Sequence, residues 1–447
     1  MHHMRLAAIA VLVFLAAATP ATAQCTSEVR QILPRGTVST PLNVRAYAWS
    51  GSVLAIASEQ ETTNAIWISL FNEHGDQLYP ISKLTSPDDA KVIDLLWNGT
   101  NFDLFLETSD HQLAIRRFST TGELTSGTFV PLRQFRPDAP NKLEIVWSPF
   151  YNSYFIAHTV NATPAVWLAQ IPVSLDSRIS TDAQLSKTAP DSYAKVAITE
   201  SGVIGVFFEQ EATRDVMMVR LFPGANTTIK KVWTRGEDLD VDTRNNDFVL
   251  AQTTIRNNAR IIRWKAINTT GFDTEEESRL LIGSGGDVRL VSLNVRGDEL
   301  AIAYVDVRDG AGSARPPLYR LRRFTLGNVE ISDTFFAAVD TTRLRTAIGD
   351  DLIWTGSAYL SIAKRDGGTT NETYVLRYCP LAARIEAPRL SHTGETVTYT
   401  AVPEGGVAGY QYVWTYGVER ITSTGPTLAL RYDVPGTYSV TLTVTDA

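Results

Sequence analysis

Hydrophobic positions between residues 40 and 380 occur in short runs, some alternating with polar residues and some continuous. Gly, Asn, Asp and Pro separate these runs, and the helical period of about 3.6 residues is almost absent. Alternation and short apolar runs that are bounded by turn residues are typical of β-strands. The pattern therefore predicts an all-β domain over this part of the chain.

The predicted strands form a repeat. Its first half is an apolar strand, a Trp-Asn-Gly-like turn and a second apolar strand, and its second half is a strand that often carries Arg before a Gly turn. The clearest unit runs from Ile93 to Leu124, and the units at Trp49 and Trp354 resemble it. Counting the turns predicts seven units spaced by about 45 to 58 residues, which is in the range of propeller blades. Counts of six or eight also fit, because the first and sixth units align loosely.

A four-stranded sheet with two apolar faces cannot bury both by itself, whereas a closed ring of such sheets buries them all. The repeat therefore predicts a seven-bladed β-propeller over residues 24–381. The last unit ends after its third strand, at Cys379, so we expect a strand around Ser27 to Pro34 to complete that blade. Cys25 would then lie beside Cys379, and because these are the only two cysteines we expect a disulfide between them.

Residues 1–23 predict a signal peptide. A basic start that ends at Arg5 precedes the apolar run Leu6 to Ala18, and small residues lead to a cleavage site after Ala23. The apolar run is shorter than the ~20 residues that span a bilayer, so we expect no membrane insertion after cleavage. The protein should be secreted, extracellular or on the cell surface, with the periplasm as the alternative. The net charge of −7 and the lack of a basic stripe argue against a nucleic-acid partner.

Residues 382–447 predict a second, smaller all-β module. The stretch YVWTYGVE and the closing stretch PGTYSVTLTVTDA (Pro435 to Ala447) resemble the PKD (polycystic kidney disease) family. The aromatic and glycine positions of the family motif are present at Trp414, Tyr416 and Gly417. The motif changes at Val418-Glu419, where the family usually has an acid or amide followed by Gly, which makes a family-typical contact there doubtful.

The resemblance implies an immunoglobulin-like β-sandwich without catalytic activity, which serves as a spacer or as a protein- or carbohydrate-contacting unit. We expect Trp414 in its core, and Tyr438, Val440, Leu442 and Val444 alternating inward on the last strands. The sequence stops at the end of that strand, so either the protein ends there or further modules follow.

Signatures of known catalytic classes are missing. The sequence has no G-x-S-x-G elbow, no dinucleotide or Walker fingerprint, no repeated S-x-D-x-G-x-T-W box and no histidine pair with metal-ligand spacing. One position of the repeat is nevertheless polar in most units. It lies three residues before the turn tryptophan, on the predicted innermost strand, and in successive units it holds Ala46, Asp94, Glu144, Lys195, Asp240, Ser292 and Asp351.

These residues have two interpretations. As a functional site, Asp94, Glu144, Asp240 and Asp351 would line a channel that holds Ca²⁺, the one cofactor we consider, or that cleaves glycosides with two carboxylates about 5–9.5 Å apart. As a structural feature, they would form a solvated ring in which Lys195 offsets part of the negative charge.

The sequence is most consistent with a non-catalytic binding or adhesion protein that acts as a monomer outside the cytoplasm. The propeller rim would contact a glycan or protein ligand, and the PKD module would be a spacer or second contact. The alternative is a polysaccharide-active enzyme, a glycoside hydrolase or lyase that uses the channel carboxylates. Four tryptophans are candidates for blade core or for sugar-stacking platforms: Trp67, Trp167, Trp233 and Trp264.

The predicted disulfide gives a first test. We expect a thiol-reactive chromophore to detect no free thiol in the exported, denatured protein, and two thiols after reduction. Reduction should lower the melting temperature, because a cross-link over such a long loop restricts the unfolded chain. Free thiols in the unreduced protein would contradict the pairing of Cys25 with Cys379.

Overall fold

The structure is a computed structural model. It describes residues 28–32, 42–60, 63, 65–84, 90–109, 112–130, 143–160, 165–175, 181–186, 194–210, 213, 215–221, 228–234, 236–256, 259–274, 278–280, 286–308, 318–326, 330–335, 344–346, 352–366, 371–388, 391–405, 409–416, 425–434, 436 and 438–445. The predicted signal peptide, Cys25 and Asp351 lie outside these ranges.

After strand β1 (Glu28–Ile32), the chain forms antiparallel four-stranded sheets one after another, each in chain order. Sheet 1 comprises β2 (Leu42–Trp49), β3 (Leu54–Gln60), β4 (Ile66–Phe71) and β5 (Ser82–Leu84). Sheet 2 comprises β6 (Lys91–Trp97), β7 (Phe102–Glu107), β8 (Leu113–Phe118) and β9 (Leu124–Val130). Sheet 3 comprises β10 (Leu143–Ser148), β11 (Ser153–Val160), β12 (Ala165–Pro172) and β13 (Thr181–Gln184).

The same order continues in the next three sheets. Sheet 4 comprises β14 (Lys195–Ile198), β15 (Ile204–Gln210), β16 (Asp215–Leu221) and β17 (Thr228–Trp233). Sheet 5 comprises β18 (Glu237–Arg244), β19 (Asp247–Arg256), β20 (Ala259–Asn268) and β21 (Ser278–Leu280). Sheet 6 comprises β22 (Gly286–Arg296), β23 (Glu299–Arg308), β24 (Leu318–Thr325) and β25 (Glu330–Phe335).

Sheet 7 differs because it combines both ends of the repeat region. Its strands are β26 (Leu344–Thr346), β27 (Ile353–Trp354), β28 (Tyr359–Asp366) and β29 (Asn371–Tyr378). The strand order is β1-β29-β28-β26, with β27 also paired to β28. The N-terminal strand β1 is therefore the outermost strand of the last sheet.

The apolar cores lie between sheets rather than within them. Each described propeller core cluster combines side chains of two consecutive sheets, from sheets 1 and 2 through to sheets 5 and 6. A further cluster joins Ile32 and Val375 of sheet 7 to Val44 and Leu54 of sheet 1. The first strands of sheets 1 to 6 also contact one another in order. The predicted fold class, a β-propeller followed by an immunoglobulin-like module, is confirmed.

Burial between neighbouring sheets explains why the second strand of each unit reads as a continuous apolar run. The first five residues of β3 and the first six of β15 are all buried. Successive side chains of a strand point to opposite faces, so both faces of these strands are covered. A single sheet could not provide that cover, and stacking against neighbours is therefore required for folding.

The Trp-Asn-Gly turn of the repeat is held by its own side chain. Asn98 Oδ1 accepts hydrogen bonds from the N–H groups of Thr100 and Asn101, at 3.0 and 2.9 Å. Gly99 has a φ of +92°, a conformation in which a side chain would be strained. The Asn98 amide also donates to Asp103 Oδ2 at 2.7 Å, so the predicted turn is tied to the buried second strand.

A buried ion pair within sheet 2 also binds sheet 3. Asp103 has no exposed surface, and its two oxygens accept bonds from Arg117 Nε and Nη2, both at 2.7 Å. Arg117 also donates to the carbonyl of Val173 at 2.8 Å, and the hydroxyl of Tyr154 in sheet 3 donates to Asp103. Burial and this carboxylate raise the pKa of Tyr154. A buried carboxylate with this many partners is compensated, which is the condition for burying a charge.

Strand β1 is attached to sheet 1 through an arginine. Arg30 Nη1 donates to the carbonyl of His74 at 3.0 Å, and Nη2 lies 2.6 Å from Asp76 Oδ1. Both acceptors belong to the turn after β4, which Asn72 closes by accepting the N–H groups of His74 and Asp76 through its side-chain oxygen. Cys379 is buried immediately after β29. Its predicted disulfide stays a prediction because Cys25 lies outside the described residues.

The C-terminal module has two small sheets. One is β30-β31-β33, made of Ala382–Glu386, Thr396–Glu404 and Thr427–Arg431, and the other is β32-β34, made of Gln411–Tyr416 and Val440–Thr445. Trp414 is fully buried between Ala401 and Leu428, as predicted. The prediction for Tyr438 is wrong: it is 41% exposed, and it packs 4.4 Å from the ring of Tyr432 rather than in the core.

The described residues contain no helix of the length and apolarity that crossing a membrane requires. Contacts divide the chain into two units, one of which is Val29–Gly356 with Leu360–Leu376, while the other includes Arg377–Ala447.

The pair of Arg30 and Asp76 should make closure of the ring pH-dependent. Hydrogen bonds from Asn72 and Arg30 hold the pKa of Asp76 below its usual range. A lowered pKa stabilises the fold above the unfolded value of about 4, and that contribution disappears as pH falls through the lowered pKa. Asp76→Asn should therefore lower the free energy of unfolding at neutral pH, and the difference from the wild type should vanish at acid pH.

Urea denaturation at neutral pH and below about pH 3 measures this difference. Glu123→Gln is the matched control, because Glu123 occupies the same position in the corresponding turn of sheet 2 and no cation contacts it among the described residues. A destabilisation by Asp76→Asn that persists unchanged in acid would contradict a stabilising role of the ionised Asp76 carboxylate beside Arg30.

Candidate functional site

The polar positions predicted to line the channel are structurally equivalent. Each described member lies on the first strand of its sheet and pairs with the second strand at the same place in the repeat. The pairs are Ala46 with Ala57, Asp94 with Phe105, Glu144 with Ala157, Lys195 with Phe207, Asp240 with Ala251, and Ser292 with Ala303. We call these six residues the channel ring. The predicted member Asp351 lies outside the described residues.

A β-bulge precedes the channel-ring residue in four sheets, namely sheets 1, 2, 5 and 6. A bulge bends a strand and releases backbone groups from the ladder. In sheets 2 and 6 the freed N–H before the bulge finds a side chain on the preceding sheet. Val92 donates to Glu59 Oε1 at 2.6 Å, and Leu290 donates to Thr253 Oγ1 at 2.9 Å.

Sequence reasoning missed Glu59 and Thr253, although a signal was present. Both lie two residues after the partner of the channel-ring residue on the second strand. The sequence has a glutamate at that repeat position in three units, at Glu59, Glu107 and Glu209. An acid that recurs at the end of an apolar strand indicates a buried or half-buried hydrogen-bond acceptor.

Three members of the channel ring form a chain of ion pairs. Lys195 Nζ lies 3.2 Å from Glu144 Oε2 and 3.5 Å from Asp240 Oδ1. Lys195 therefore connects sheet 3 to sheet 5, which are not neighbours in the ring. All three side chains are only partly exposed, so the pairs are less screened than pairs on an open surface.

Two members of the channel ring bind the backbone of the following sheet. Asp240 Oδ2 accepts the N–H of Leu293 at 2.8 Å, and Ser292 Oγ accepts the N–H of Leu352 at 3.1 Å. Leu293 directly follows the channel-ring residue of sheet 6, and Leu352 follows the corresponding position of sheet 7. Asp242 repeats the arrangement by accepting the N–H of Val295 at 2.7 Å. These side chains therefore hold sheet 5 to sheet 6 and sheet 6 to sheet 7.

The acidic residues predicted to line the channel have different hydrogen-bond and ion-pair partners. Glu144 and Asp240 share Lys195, whereas Asp94 Oδ1 accepts the N–H of its own neighbour Leu95 at 2.7 Å. Within the described ranges, no cluster of three His, Cys, Asp or Glu side chains is arranged to hold a metal ion. Calcium binding at Asp94, Glu144, Asp240 and Asp351 stays a prediction.

The four candidate tryptophans belong to the blades. Trp233 and Trp264 are buried, and Trp67 and Trp167 are half-buried. The Trp167 ring stacks on His158 at 6.5 Å. Other aromatic side chains are more exposed, and sequence reasoning did not single them out. Phe150 is 61% exposed and Phe272 is 64% exposed, and both lie in turns between strands.

Comparison with known proteins identifies the C-terminal module. Residues 382–447 match the model of the PKD domain, which confirms the predicted resemblance. A PKD domain is compatible with an extracellular binding or adhesion role. No curated protein sequence matches the chain.

Among solved structures, a mutant puromycin hydrolase complexed with PGG is similar at 9% identity and a TM-score of 0.51, over 82% of this chain and 59% of that chain. Raptor from Chaetomium thermophilum is similar at 12% identity and a TM-score of 0.44, over 79% of this chain and 29% of that chain. The BP39L lectin from Burkholderia pseudomallei is similar at 10% identity and a TM-score of 0.45, over 64% of this chain and 81% of that chain. The likeness to the hydrolase concerns the fold alone.

Removing an acceptor from the channel ring should destabilise the propeller. Ser292→Ala leaves the buried N–H of Leu352 without its acceptor, which typically costs about 1–3 kcal/mol. Asp240→Ala should have a similar effect, and Asp240→Asn a smaller one, because an amide oxygen can still accept from Leu293. Chemical denaturation followed by circular dichroism measures these differences. Ser52→Ala, in an exposed turn, is the matched control, and equal stability of all variants would contradict the structural role.

Proposed function

We propose that the chain is a binding protein that acts outside the cytoplasm and does not turn over its ligand. In this proposal the turns at the propeller rim contact a glycan or a protein, and the PKD module serves as a spacer or second contact. The observation that carries the proposal is the state of the channel ring. In the channel ring, Glu144 and Asp240 are paired with Lys195, and Asp240 and Ser292 also accept backbone N–H groups of the next sheet.

A catalytic carboxylate must exchange protons with a substrate or attack it, so it needs an accessible oxygen. Asp240 directs one oxygen to Lys195 and the other to the N–H of Leu293. The hydroxyl oxygen of Ser292 likewise accepts the N–H of Leu352. In this proposal these groups stabilise the fold. A ligand would instead contact the turns at the ends of the sheets. Loops on a rigid scaffold are the usual location of binding residues.

One observation favours the second candidate, a polysaccharide-active enzyme. Because Lys195 Nζ lies 3.2 Å from Glu144 and 3.5 Å from Asp240, the two carboxylates are no farther apart than these distances added together. That limit is below the ~9.5 Å at which paired glycosidase carboxylates still act. The ammonium group, however, occupies the space between them, where the glycosidic oxygen of a substrate would have to lie.

Binding without turnover separates the two candidates. We expect the purified protein to release no reducing ends and no unsaturated sugars from a panel of plant, algal, fungal and bacterial polysaccharides. Glu144→Gln should leave this result unchanged. Sustained product release that is abolished by Glu144→Gln at an unchanged melting temperature, and retained by the surface variant Glu123→Gln, would establish the enzyme instead.

A further inference from the structure

The exposed ring of Phe150 has a fixed position. Phe150 lies in the turn between β10 and β11, and its ring rests on Gly202 in the corresponding turn of sheet 4. A Cβ at Gly202 would come within 2.6 Å of Phe150 Cε1, so only glycine allows the ring to lie there. Gly202 also has a φ of +81°, which independently favours glycine. The ring is thus held against the next blade while 61% of the residue remains exposed.

Tyr151 also helps to hold the ring of Phe150 in place. Its hydroxyl donates to the carbonyl of Gly202 at 2.5 Å. Its ring packs edge-on against Phe150, with centroids 4.9 Å apart, and against Phe155 of the blade, with centroids 5.3 Å apart. Burial raises the pKa of Tyr151, so the hydroxyl keeps its proton and remains a donor. A large apolar surface is therefore presented to solvent with little freedom left to lose on binding, which favours affinity.

The turns that follow continue this rigid surface. Glu200 N–H donates to the carbonyl of Asn245 at 3.1 Å, and Ser201 N–H donates to Asn246 Oδ1 at 3.2 Å. Arg244, at the edge of the turn in sheet 5, lies 3.3 Å from Asp298 in the turn of sheet 6. We call this surface the turn ridge. It consists of the turns 149–152, 199–203, 245–246 and 297–298, which all lie at the same end of their sheets.

Apart from Pro149 and Phe150, the exposed side chains of the turn ridge are polar. They are Asn152, Glu200, Ser201, Asn245, Asn246 and Asp298. A carboxylate, an amide and a hydroxyl next to a fixed aromatic ring match the chemistry of a sugar. The C–H face of a pyranose can lie on the ring of Phe150, and its hydroxyls can exchange hydrogen bonds with the planar polar groups.

We propose that the turn ridge is a carbohydrate-binding site in which a sugar ring stacks on Phe150. The proposal rests on the proposed function and deepens it by naming the ligand class and the surface. A protein partner fits this surface less well. A stable protein interface buries about 800 Å² on each partner around an apolar centre, whereas the turn ridge has one large apolar side chain among polar ones.

Phe272 provides a matched comparison on the same molecule. It is as exposed as Phe150 and lies in the turn after β20, but Lys230 Nζ lies 3.2 Å from the centre of its ring. A cation therefore covers one face of Phe272. Phe150 has no such cover among the described residues, apart from its contacts with Gly202 and Tyr151.

The test is a glycan array that carries neutral, amino, deoxy and acidic oligosaccharides, followed by calorimetry with the oligosaccharide that binds best. We expect Phe150→Ala to weaken binding by about tenfold or more, which corresponds to about 1.4 kcal/mol, because a central aromatic anchor is the kind of residue that dominates binding energy. Phe150→Trp should bind, and Tyr151→Phe should weaken binding to a lesser degree because the ring loses part of its support. Phe272→Ala should bind like the wild type, and the Phe150 and Phe272 variants should keep the melting temperature of the wild type.

The remaining outcomes overturn the site or the ligand class without deciding whether the protein is catalytic. Glycan binding that survives Phe150→Ala, or that is lost in Phe272→Ala, would place the site elsewhere, and the proposed binding role would stand. A wild-type protein that binds no oligosaccharide on the array would overturn the carbohydrate ligand. Turnover of a polysaccharide, in contrast, would overturn the proposed function itself.

Discussion

The fold depends on one constraint, which is that each small sheet has two apolar faces and cannot cover either of them alone. Every described propeller core cluster lies between two consecutive sheets, and one of them joins sheet 7 to sheet 1. Strand β1 therefore belongs to the last sheet, because a ring leaves no face uncovered only when it closes. The same constraint brings the first strands side by side and forces their polar groups to find partners across the gap between sheets.

Much of the fold could be predicted because the strands and turns of the repeat are set by local sequence. The turn at Asn98-Gly99 and the equivalence of the channel-ring positions follow from a repeat that the sequence carries in each unit. The partners could not be predicted, since they depend on neighbours in space. Lys195 of sheet 4 reaches Glu144 of sheet 3 and Asp240 of sheet 5, and no local pattern of the sequence indicates that these two carboxylates share one lysine. Aromatic residues show the same limit: the four candidate tryptophans are buried or half-buried in the blades, whereas Phe150 is exposed because it lies in a turn.

The described structure separates the stabilising part of the propeller from the part that we propose to bind a ligand. Polar groups in the channel connect sheets through ion pairs and hydrogen bonds. Polar groups on the turn ridge are exposed, and backbone hydrogen bonds keep their turns in place. The PKD module adds a second all-β unit whose central tryptophan is a packing residue. A protein built this way can change its rim residues with little effect on its stability.

Backbone N–H groups on or next to the strands that carry the channel-ring positions donate to neighbouring sheets in one direction. In these described bonds the acceptor belongs to the earlier sheet and the N–H to the later one, as for Glu59 and Val92 or Ser292 and Leu352, whereas the turn ridge has the reverse case in Ser201 and Asn246. These bonds therefore have a polarity along the chain. Loss of sheet 1, 5 or 6 would expose backbone N–H donors on the next sheet, whereas loss of sheet 2, 6 or 7 would expose side-chain acceptors on the sheet before it. Unfolding that starts at the N-terminal end of the repeat therefore exposes different groups to water from unfolding that starts at the C-terminal end.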